Sequence, residues 1–157
     1  MRTIKLALFI ALALFITVSL GMAAGSGFKA VLSGKEITPM AVDTKTTGDV
    51  EIVLGKDGKE LGYTLNIKDI ENVTAAHIHA GKKGVEGPPV AGLFGGPKKD
   101  GKFSGVLAKG TITDKNLIGP LAGKTLADLV KLIKDGDAYV NVHTAAHPGG
   151  EVRGQLE

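Results

Sequence analysis

Apolar and polar residues alternate with a period of two along most of the chain after residue 27. The pattern is clearest in residues 49–54 and 61–70, which a turn at residues 55–58 separates. Strands with one buried face alternate in this way, so the two runs predict a β-hairpin. Similar runs predict further strands over residues 28–32, 73–80, 90–94, 103–113, 138–144 and 151–156.

One segment has a helical period instead. Its apolar residues stand at positions 126, 129, 130 and 133, which is the spacing of one helix face. Thr125 is a suitable N-cap, Asp128 stands at the third helical position, and Gly136 can end the helix. The sequence therefore predicts an all-β, mostly antiparallel chain, a Greek-key-like β-sandwich, with one short α-helix near residues 125–134.

The first residues have the pattern of a secretory signal peptide. Arg2 and Lys5 precede an apolar run over residues 6–20, and small residues at 21–25 provide a cleavage site. We expect residues 1–24 to be removed and residues 25–157 to form one secreted or periplasmic domain. The run is short for a membrane span, which needs about 20 apolar residues. Retention of this segment as an anchor is the alternative.

Composition and charge narrow the class of partner. Two of the 19 basic residues lie in the predicted signal peptide, so residues 25–157 carry 17 basic and 16 acidic residues, a net charge of +1. That balance gives no argument for binding nucleic acid. The chain has no cysteine. An exported domain without disulfides depends on its apolar core or on a metal ion for stability.

All four histidines fall in two short motifs. His77 and His79 form a His-Ile-His motif in one predicted strand, and His143 and His147 stand at the end of another and in the turn after it. Two residues separated by one on a strand share a face, with Cα atoms about 6.5 Å apart. Both imidazoles can therefore reach one transition-metal ion.

The neighbouring strands supply further polar residues for the same side. Alternation places Asn141, His143 and Arg153 opposite the apolar positions of their strands. We expect a copper or zinc site, with nitrogen and oxygen ligands that suit Cu(II) or Zn(II) better than Cu(I). Its affinity should fall as the pH drops through about 6.5. The predicted ligands are His77, His79, His143 and, with a smaller contribution from the turn, His147.

Two alternatives remain open at this point. The histidines could instead hydrogen-bond to the backbone or to one another and support a sheet. Arg153 is the single arginine among residues 25–157, beside sixteen lysines, which indicates a place that needs a planar set of N–H donors. It either pairs with Glu151 or another carboxylate, binds loop carbonyls that hold the last strand, or contacts a ligand directly.

Taken together, the motifs resemble the CHRD domain, which is named after chordin and also occurs in exported microbial proteins. The resemblance covers residues 27–157 and rests on residues 28–34, 75–81, 87–90, 139–144 and 148–156. It implies an extracellular or periplasmic β-rich domain without a settled activity. Residues 35–47 depart from the family pattern, with Thr38-Pro39-Met40 in place of a double proline. The family signature falls on His77, His79, Asn141, His143, Glu151, Arg153 and Gln155, of which the non-histidine residues are expected to be structural supports.

Three functions are compatible with these features. The first is an exported metal-binding module for copper or zinc. The second is an extracellular interaction or matrix domain with structural histidines and a protein partner. The third is a small copper redox enzyme, which would resemble Cu/Zn superoxide dismutase only in its fold class and its His-x-His motif. No Ser-His-Asp set, paired-carboxylate motif or phosphate-binding loop indicates hydrolysis or group transfer. We therefore expect a binding protein rather than an enzyme.

Overall fold

The computed structural model describes residues 27–157, and the predicted signal peptide at residues 1–24 lies outside them. The described chain contains one α-helix, α1 (Leu126–Lys134), and three single-turn 3-10 helices at Gly34–Glu36, Asp114–Asn116 and Gly119–Leu121. Its strands are β1 (Gly27–Ser33), β2 (Thr47–Leu54), β3 (Leu61–Ala80), β4 (Pro89–Phe94), β5 (Lys99–Ile112), β6 (Ala138–Thr144) and β7 (Val152–Gln155).

Five strands close into an antiparallel barrel. Their hydrogen-bonded order is β2, β1, β7, β6 and β3, and β3 pairs again with β2. The other two strands, β4 and β5, each pair with a different part of β3. The prediction of a mostly antiparallel β fold with one short helix is confirmed. The predicted sandwich with Greek-key character is not confirmed, because the strand pairing is that of a closed barrel with two added strands.

The longest strand, β3, takes part in four of these pairings. The sequence predicts two strands here, over residues 61–70 and 73–80, whereas the structure has one strand of 20 residues. Asp69 and Asn72 have positive φ angles of 57° and 53°, and the pairing with β5 shifts register beside them. Asp and Asn tolerate this left-handed conformation better than most residues. The strand therefore bends at bulges and continues, and its second half runs between β6 and β4.

Aliphatic side chains fill the barrel as the alternation predicts. Ile78 of β3, Val140 and Val142 of β6, and Val152 of β7 are fully buried. Burial of one such side chain contributes about 1.5–3 kcal/mol. Because successive side chains on a strand point to opposite faces, the residues between them point out of the barrel. This places the histidines of β3 and β6 on its outer side.

The helix α1 packs its apolar side on the same core. Its predicted N-cap is confirmed, since the Thr125 backbone N–H and hydroxyl both donate to the Asp128 carboxylate, at 2.9 and 2.8 Å. Gly136, with φ of 76°, follows the end of the helix, as its position predicts. None of the helices in residues 27–157 is long and apolar enough to cross a membrane.

Candidate metal centre

The outer side of β3, β6 and β7 is covered rather than open to solvent. Four polar or aromatic residues there point away from the barrel core, yet His79, Tyr139, Asn141 and Arg153 are only 8, 3, 5 and 3% exposed. The loop that joins β3 to β4, residues 81–88 and hereafter the covering loop, lies over them, because Tyr139 and Arg153 both bond to it. This outer side is thus a second buried region, and it is polar.

His77, His79 and His143 converge within this region and form a three-histidine cluster. In the β3–β6 pairing, His143 lies opposite Ala75, and His77 lies opposite Asn141. The ring centroids are 5.7 Å apart for His77 and His79, 5.3 Å for His77 and His143, and 5.7 Å for His79 and His143. One ring nitrogen of each lies within 4.8 Å of the other two. The three rings thus stand at the corners of a nearly equilateral triangle.

Backbone carbonyls fix the tautomer of two of these rings. His79 Nδ1 lies 2.9 Å from the Gly87 carbonyl oxygen, and His143 Nδ1 lies 2.9 Å from that of Pro148. A carbonyl oxygen can only accept, so each Nδ1 carries the proton and each Nε2 keeps a free lone pair. Metal-bound histidines are commonly held in this way, with the second ring nitrogen donating to a carbonyl or carboxylate.

Three ring nitrogens of the cluster lack a hydrogen-bond partner. Within residues 27–157, nothing bonds to Nε2 of His79, Nε2 of His143 or Nδ1 of His77, although all three atoms are buried. A buried acceptor without a partner costs about 1–3 kcal/mol. His79 and His143 thus offer free Nε2 lone pairs, and His77 adds a third imidazole to the cluster, which together can hold a divalent transition metal.

Partial burial also keeps the three imidazoles neutral. Desolvation lowers the pKa of His77 to about 4, and the nearby charges of His143 and His79 add to this effect. Desolvation likewise lowers the pKa of His79 and of His143, although their carbonyl hydrogen bonds act in the opposite direction. Only neutral imidazole binds a metal ion. The expected loss of affinity on acidification therefore moves below pH 6.5, the value that the sequence suggests.

The dimensions of the cluster fit a three-coordinate protein site after a small contraction. Three points within 4.8 Å of one another lie within about 2.8 Å of a common centre, which is 4.8 divided by √3. A zinc–nitrogen bond is about 2.0–2.1 Å long, so each nitrogen must move inward by at most about 0.8 Å. Small side-chain rotations supply such a movement. Three histidines then leave one tetrahedral position for an oxygen donor.

His147 lies outside the three-histidine cluster, in the turn after β6. Its backbone N–H donates to the Thr144 hydroxyl at 3.1 Å, and its carbonyl accepts from Gly150 at 3.0 Å. These bonds hold the turn and leave the half-buried side chain away from the other three rings. Of the four predicted metal ligands, the structure therefore brings three together and separates His147.

Glu151 links two segments of the chain through buried hydrogen bonds. It is buried and accepts hydrogen bonds from the hydroxyls of Thr44 at 2.8 Å, Thr46 at 2.7 Å and Thr144 at 2.8 Å. Burial raises the pKa of its carboxyl, but these bonds and the nearby His147 outweigh burial and leave the pKa lowered. Glu151 thus ties the segment before β2 to the end of β6. The sequence did not indicate the roles of Thr44 and Thr46.

Arg153 holds the covering loop through uncharged partners. Its Nη1 donates to the Thr38 hydroxyl at 2.8 Å, and its Nη2 donates to the carbonyls of Lys82 and Val85, each at 2.9 Å. Of the predicted alternatives, the structure shows the bonds to loop carbonyls, and the pairing with Glu151 does not form. A planar set of N–H donors serves three acceptors here, which explains an arginine among lysines.

Tyr139 and Gly87 support His79, and the sequence alone did not indicate these roles. The Tyr139 ring stacks on His79 with centroids 5.1 Å apart, and the Arg153 guanidinium carbon lies 3.5 Å from the Tyr139 ring centre. The Tyr139 hydroxyl accepts from the Gly87 N–H at 3.1 Å and donates to its carbonyl at 3.3 Å. A Cβ at Gly87 would lie 1.6 Å from the Ala80 carbonyl oxygen. Only glycine fits there.

The two predicted amide supports also bond to the backbone. Asn141 Nδ2 donates to the Gly149 carbonyl at 3.0 Å, which ties β6 to the following turn. Gln155 Nε2 lies within 3.0 Å of the carbonyls of Gly81, Gly136 and Ala138. The side-chain oxygens of Asn141 and Gln155 are buried without a partner in the described part of the chain. At the edge of the cluster, the Asn141 amide therefore has a hydrogen-bond partner for its Nδ2 group but none for its oxygen among residues 27–157.

Replacing Arg153 with Lys should destabilise the protein although the charge is kept. A single ammonium group cannot reach the hydroxyl and both carbonyls in the fixed geometry of the guanidinium. We expect a loss of about 1–3 kcal/mol in the free energy of unfolding, measured by urea denaturation. Lys29→Ala is the control, since that lysine forms an exposed ion pair with Glu51, and such pairs contribute little. An Arg153→Lys protein as stable as wild type would contradict this role.

The metal-free protein should lose stability between about pH 6.5 and pH 4. The pKa values of the three clustered histidines are lowered in the folded state, so the unfolded chain takes up protons first as the pH falls. The stability that these histidines contribute is complete above their pKa in the unfolded chain. It is lost as the pH falls towards their lower pKa in the folded state. We expect a loss on the order of 1–3 kcal/mol, allowing for solvent screening. Urea titrations of the metal-free protein and of the triple alanine variant test this, because the variant's slope with pH should be much smaller.

Comparison with known proteins assigns the described chain to a family. The CHRD domain matches residues 28–156, a range that contains the three-histidine cluster, the covering loop and α1. A comparison with curated proteins finds no match, and a comparison with solved structures finds none either. The match covers more than half of the chain, in agreement with the spaced motifs. The chain therefore belongs to the CHRD domain family.

Proposed function

We propose that the protein is an extracellular metal-binding protein whose three-histidine cluster holds one Cu(II) or Zn(II) ion. One observation carries this proposal. Within the described residues, each of the three clustered rings has a buried nitrogen without a hydrogen-bond partner, and one nitrogen of each ring lies within 4.8 Å of the other two, while the second ring nitrogens of His79 and His143 are bonded to carbonyls. The proton positions of His79 and His143 therefore leave a free Nε2 lone pair on each ring for a metal ion.

The ligand types favour particular metals. The cluster has three neutral imidazoles and no thiolate, a set that suits Cu(II) and Zn(II). In the usual order of affinities for divalent ions, Cu(II) binds such a site more tightly than Zn(II). His79 and His143 are held by backbone carbonyls, whereas His77 Nδ1 has no hydrogen-bond partner among the described residues. We expect His77 to make most of the inward movement on metal binding.

The proposed location follows from the family and from composition. Domains of the CHRD family are usually extracellular. The chain lacks cysteine and has a predicted signal peptide at residues 1–24. Export would place the cluster outside the cytoplasm, where copper is available to the histidines as Cu(II). Detection of processed protein outside the cytoplasm, with its N-terminus near residue 25, tests this part of the proposal.

The second candidate function is an extracellular interaction domain with structural histidines. The carbonyl hydrogen bonds of His79 and His143 favour it, because they tie β3 to the covering loop and β6 to the following turn. The two functions differ in what the metal-free protein should show. Structural histidines predict that alanine variants lose stability without any metal present, whereas metal ligands predict that the variants lose chiefly the stability gained from metal.

Thermal unfolding with and without metal therefore tests the proposed function. Metal bound only to the folded state stabilises it by about 2.7 kcal/mol at a free concentration of 100 times Kd. We expect saturating Zn(II) to raise the melting temperature of wild type and a chelator to reverse the change. The variant with alanine at all three clustered positions should show no such rise. An equal rise in that variant would mean that the ion binds elsewhere.

A further inference from the structure

A cavity of about 270 Å³ opens beside the three-histidine cluster. The barrel side of this cavity is lined by His79, Tyr139, Asn141 and Arg153, and the covering loop contributes Glu86 and Gly87. A space of this size accommodates a small polyatomic ion with several water molecules. The cavity therefore joins the outer surface to one edge of the cluster. The charges and hydrogen-bonding groups of its lining residues indicate which kind of ligand it would bind.

Arg153 gives the cavity a buried positive charge that lacks a counter-ion. The residue is 3% exposed, and none of the ion pairs among residues 27–157 includes it. Its three hydrogen-bond acceptors are uncharged, and they use three of its five N–H groups. Burial lowers the pKa of the guanidinium, and the electrostatic effects of Tyr139, Glu36 and Glu86 compensate for this only in part. A buried charge without a counter-ion is costly, so this cavity favours an anion.

Asn141 lines the same cavity and has an unpaired side-chain oxygen. The side chain is 5% exposed, and its Oδ1 is buried without a partner in the described chain. The orientation of the amide is fixed, because its Nδ2 donates to the Gly149 carbonyl, which leaves Oδ1 as the free atom. An acceptor in this position needs a donor from the ligand. A ligand that satisfies both residues therefore carries a negative charge and also an O–H or N–H group.

We propose that this cavity binds a small oxyanion that carries a proton, such as hydrogencarbonate. Arg153 holds the charged oxygens, in keeping with the preference of its planar donor set for oxyanions, and Asn141 Oδ1 accepts from the hydroxyl group. The anion lies next to His79 and so beside the proposed metal position. The guanidinium of Arg153 and the Oδ1 atom of Asn141 are present without any metal ion, so anion binding at this site does not depend on metal binding.

Titration of the metal-free protein with two matched anions tests the proposal. Hydrogencarbonate and nitrate are planar monoanions of similar size, but only hydrogencarbonate has a hydroxyl group. At constant pH and ionic strength, with chloride as the balance, we expect saturable NMR shifts at the Asn141 side-chain amide and the Gly87 backbone N–H. Hydrogencarbonate should bind about five-fold more tightly, the effect of one added hydrogen bond. Equal affinities, no saturable shift, or shifts confined to exposed lysines would each overturn the proposal.

A conservative variant tests the same site without disturbing Arg153. Glu86 borders the cavity and is exposed, so Glu86→Gln removes a repelling charge without loss of buried contacts. We expect its Kd for hydrogencarbonate to fall about two- to five-fold. Glu60→Gln is the matched control, since it makes the same change in the exposed turn between β2 and β3. An equal change in both variants would show that the anion responds only to net charge and would contradict a site in the cavity.

Discussion

Alanine at any one of His77, His79 or His143 is expected to remove most of the affinity for Cu(II) and Zn(II). Two imidazoles hold a divalent ion poorly, and no carboxylate is part of the cluster in residues 27–157. Loss of a residue that hydrogen-bonds to a metal ligand lowers metal affinity roughly 10- to 100-fold. Loss of a ligand itself should lower the affinity by more than this. Competition titration against a chelator of known affinity measures the change for each variant.

His147→Ala is the matched control for these three variants. It removes the one histidine that lies outside the cluster, and its backbone bonds to the turn do not depend on the side chain. We expect it to retain nearly all of the affinity. If His147→Ala were as damaging as the other three, the metal would not lie where the three rings converge.

Gly87→Ala is expected to produce the second large effect, although Gly87 is not a ligand. The added Cβ would lie 1.6 Å from the Ala80 carbonyl oxygen, so the backbone of the covering loop must move. The Gly87 carbonyl would then lose its bonds to His79 and to the Tyr139 hydroxyl. We expect a loss of about 3 kcal/mol or more in the free energy of unfolding, and a roughly 10- to 100-fold loss of metal affinity.

Gly92→Ala provides the control for this glycine. Gly92 lies in β4, the strand that follows the covering loop, and a Cβ there would meet no atom within 4 Å. Alanine in a strand costs little when it meets no neighbour, so stability and metal affinity should stay near wild type. A Gly87→Ala protein that behaves like Gly92→Ala would show that the loop adapts and does not orient His79.

The faces of the strands and the hairpin of β2 with β3 could be predicted from the sequence, but the pairing of strands distant in sequence could not. Alternation correctly placed Ile78 and Val140 in the core and the histidines opposite them. Periodicity carries no information on which strands distant in sequence are neighbours, so the pairing of β1 with β7, which closes the barrel, was not foreseen. The break predicted within β3 was wrong because Asp69 and Asn72 adopt left-handed conformations inside the strand. Polar residues of this kind are typical of turns as well as of bulges.

The convergence of the three histidines followed from strand geometry, whereas the surroundings of the site did not. Hydrophobicity indicates that residues opposite the core face water, yet Tyr139 and Arg153 are each only 3% exposed. The cover comes from the polar, glycine-rich loop over residues 81–88, whose composition does not indicate where it packs. The single arginine was the one signal of this contact that the sequence contained. Gly87 and the threonines around Glu151 act through backbone shape and hydroxyl groups, which leave no distinctive pattern.

Metal analysis of protein purified without an affinity tag tests the central claim most directly. Wild type would be incubated with excess Cu(II) or Zn(II), dialysed, and assayed for bound metal per chain. The three-histidine cluster predicts one ion per chain in wild type and in His147→Ala, and almost none in the variant with alanine at positions 77, 79 and 143. No stoichiometric metal in wild type, or equal metal in the triple variant, would contradict the claim and leave the histidines as structural supports of the covering loop and of the turn after β6.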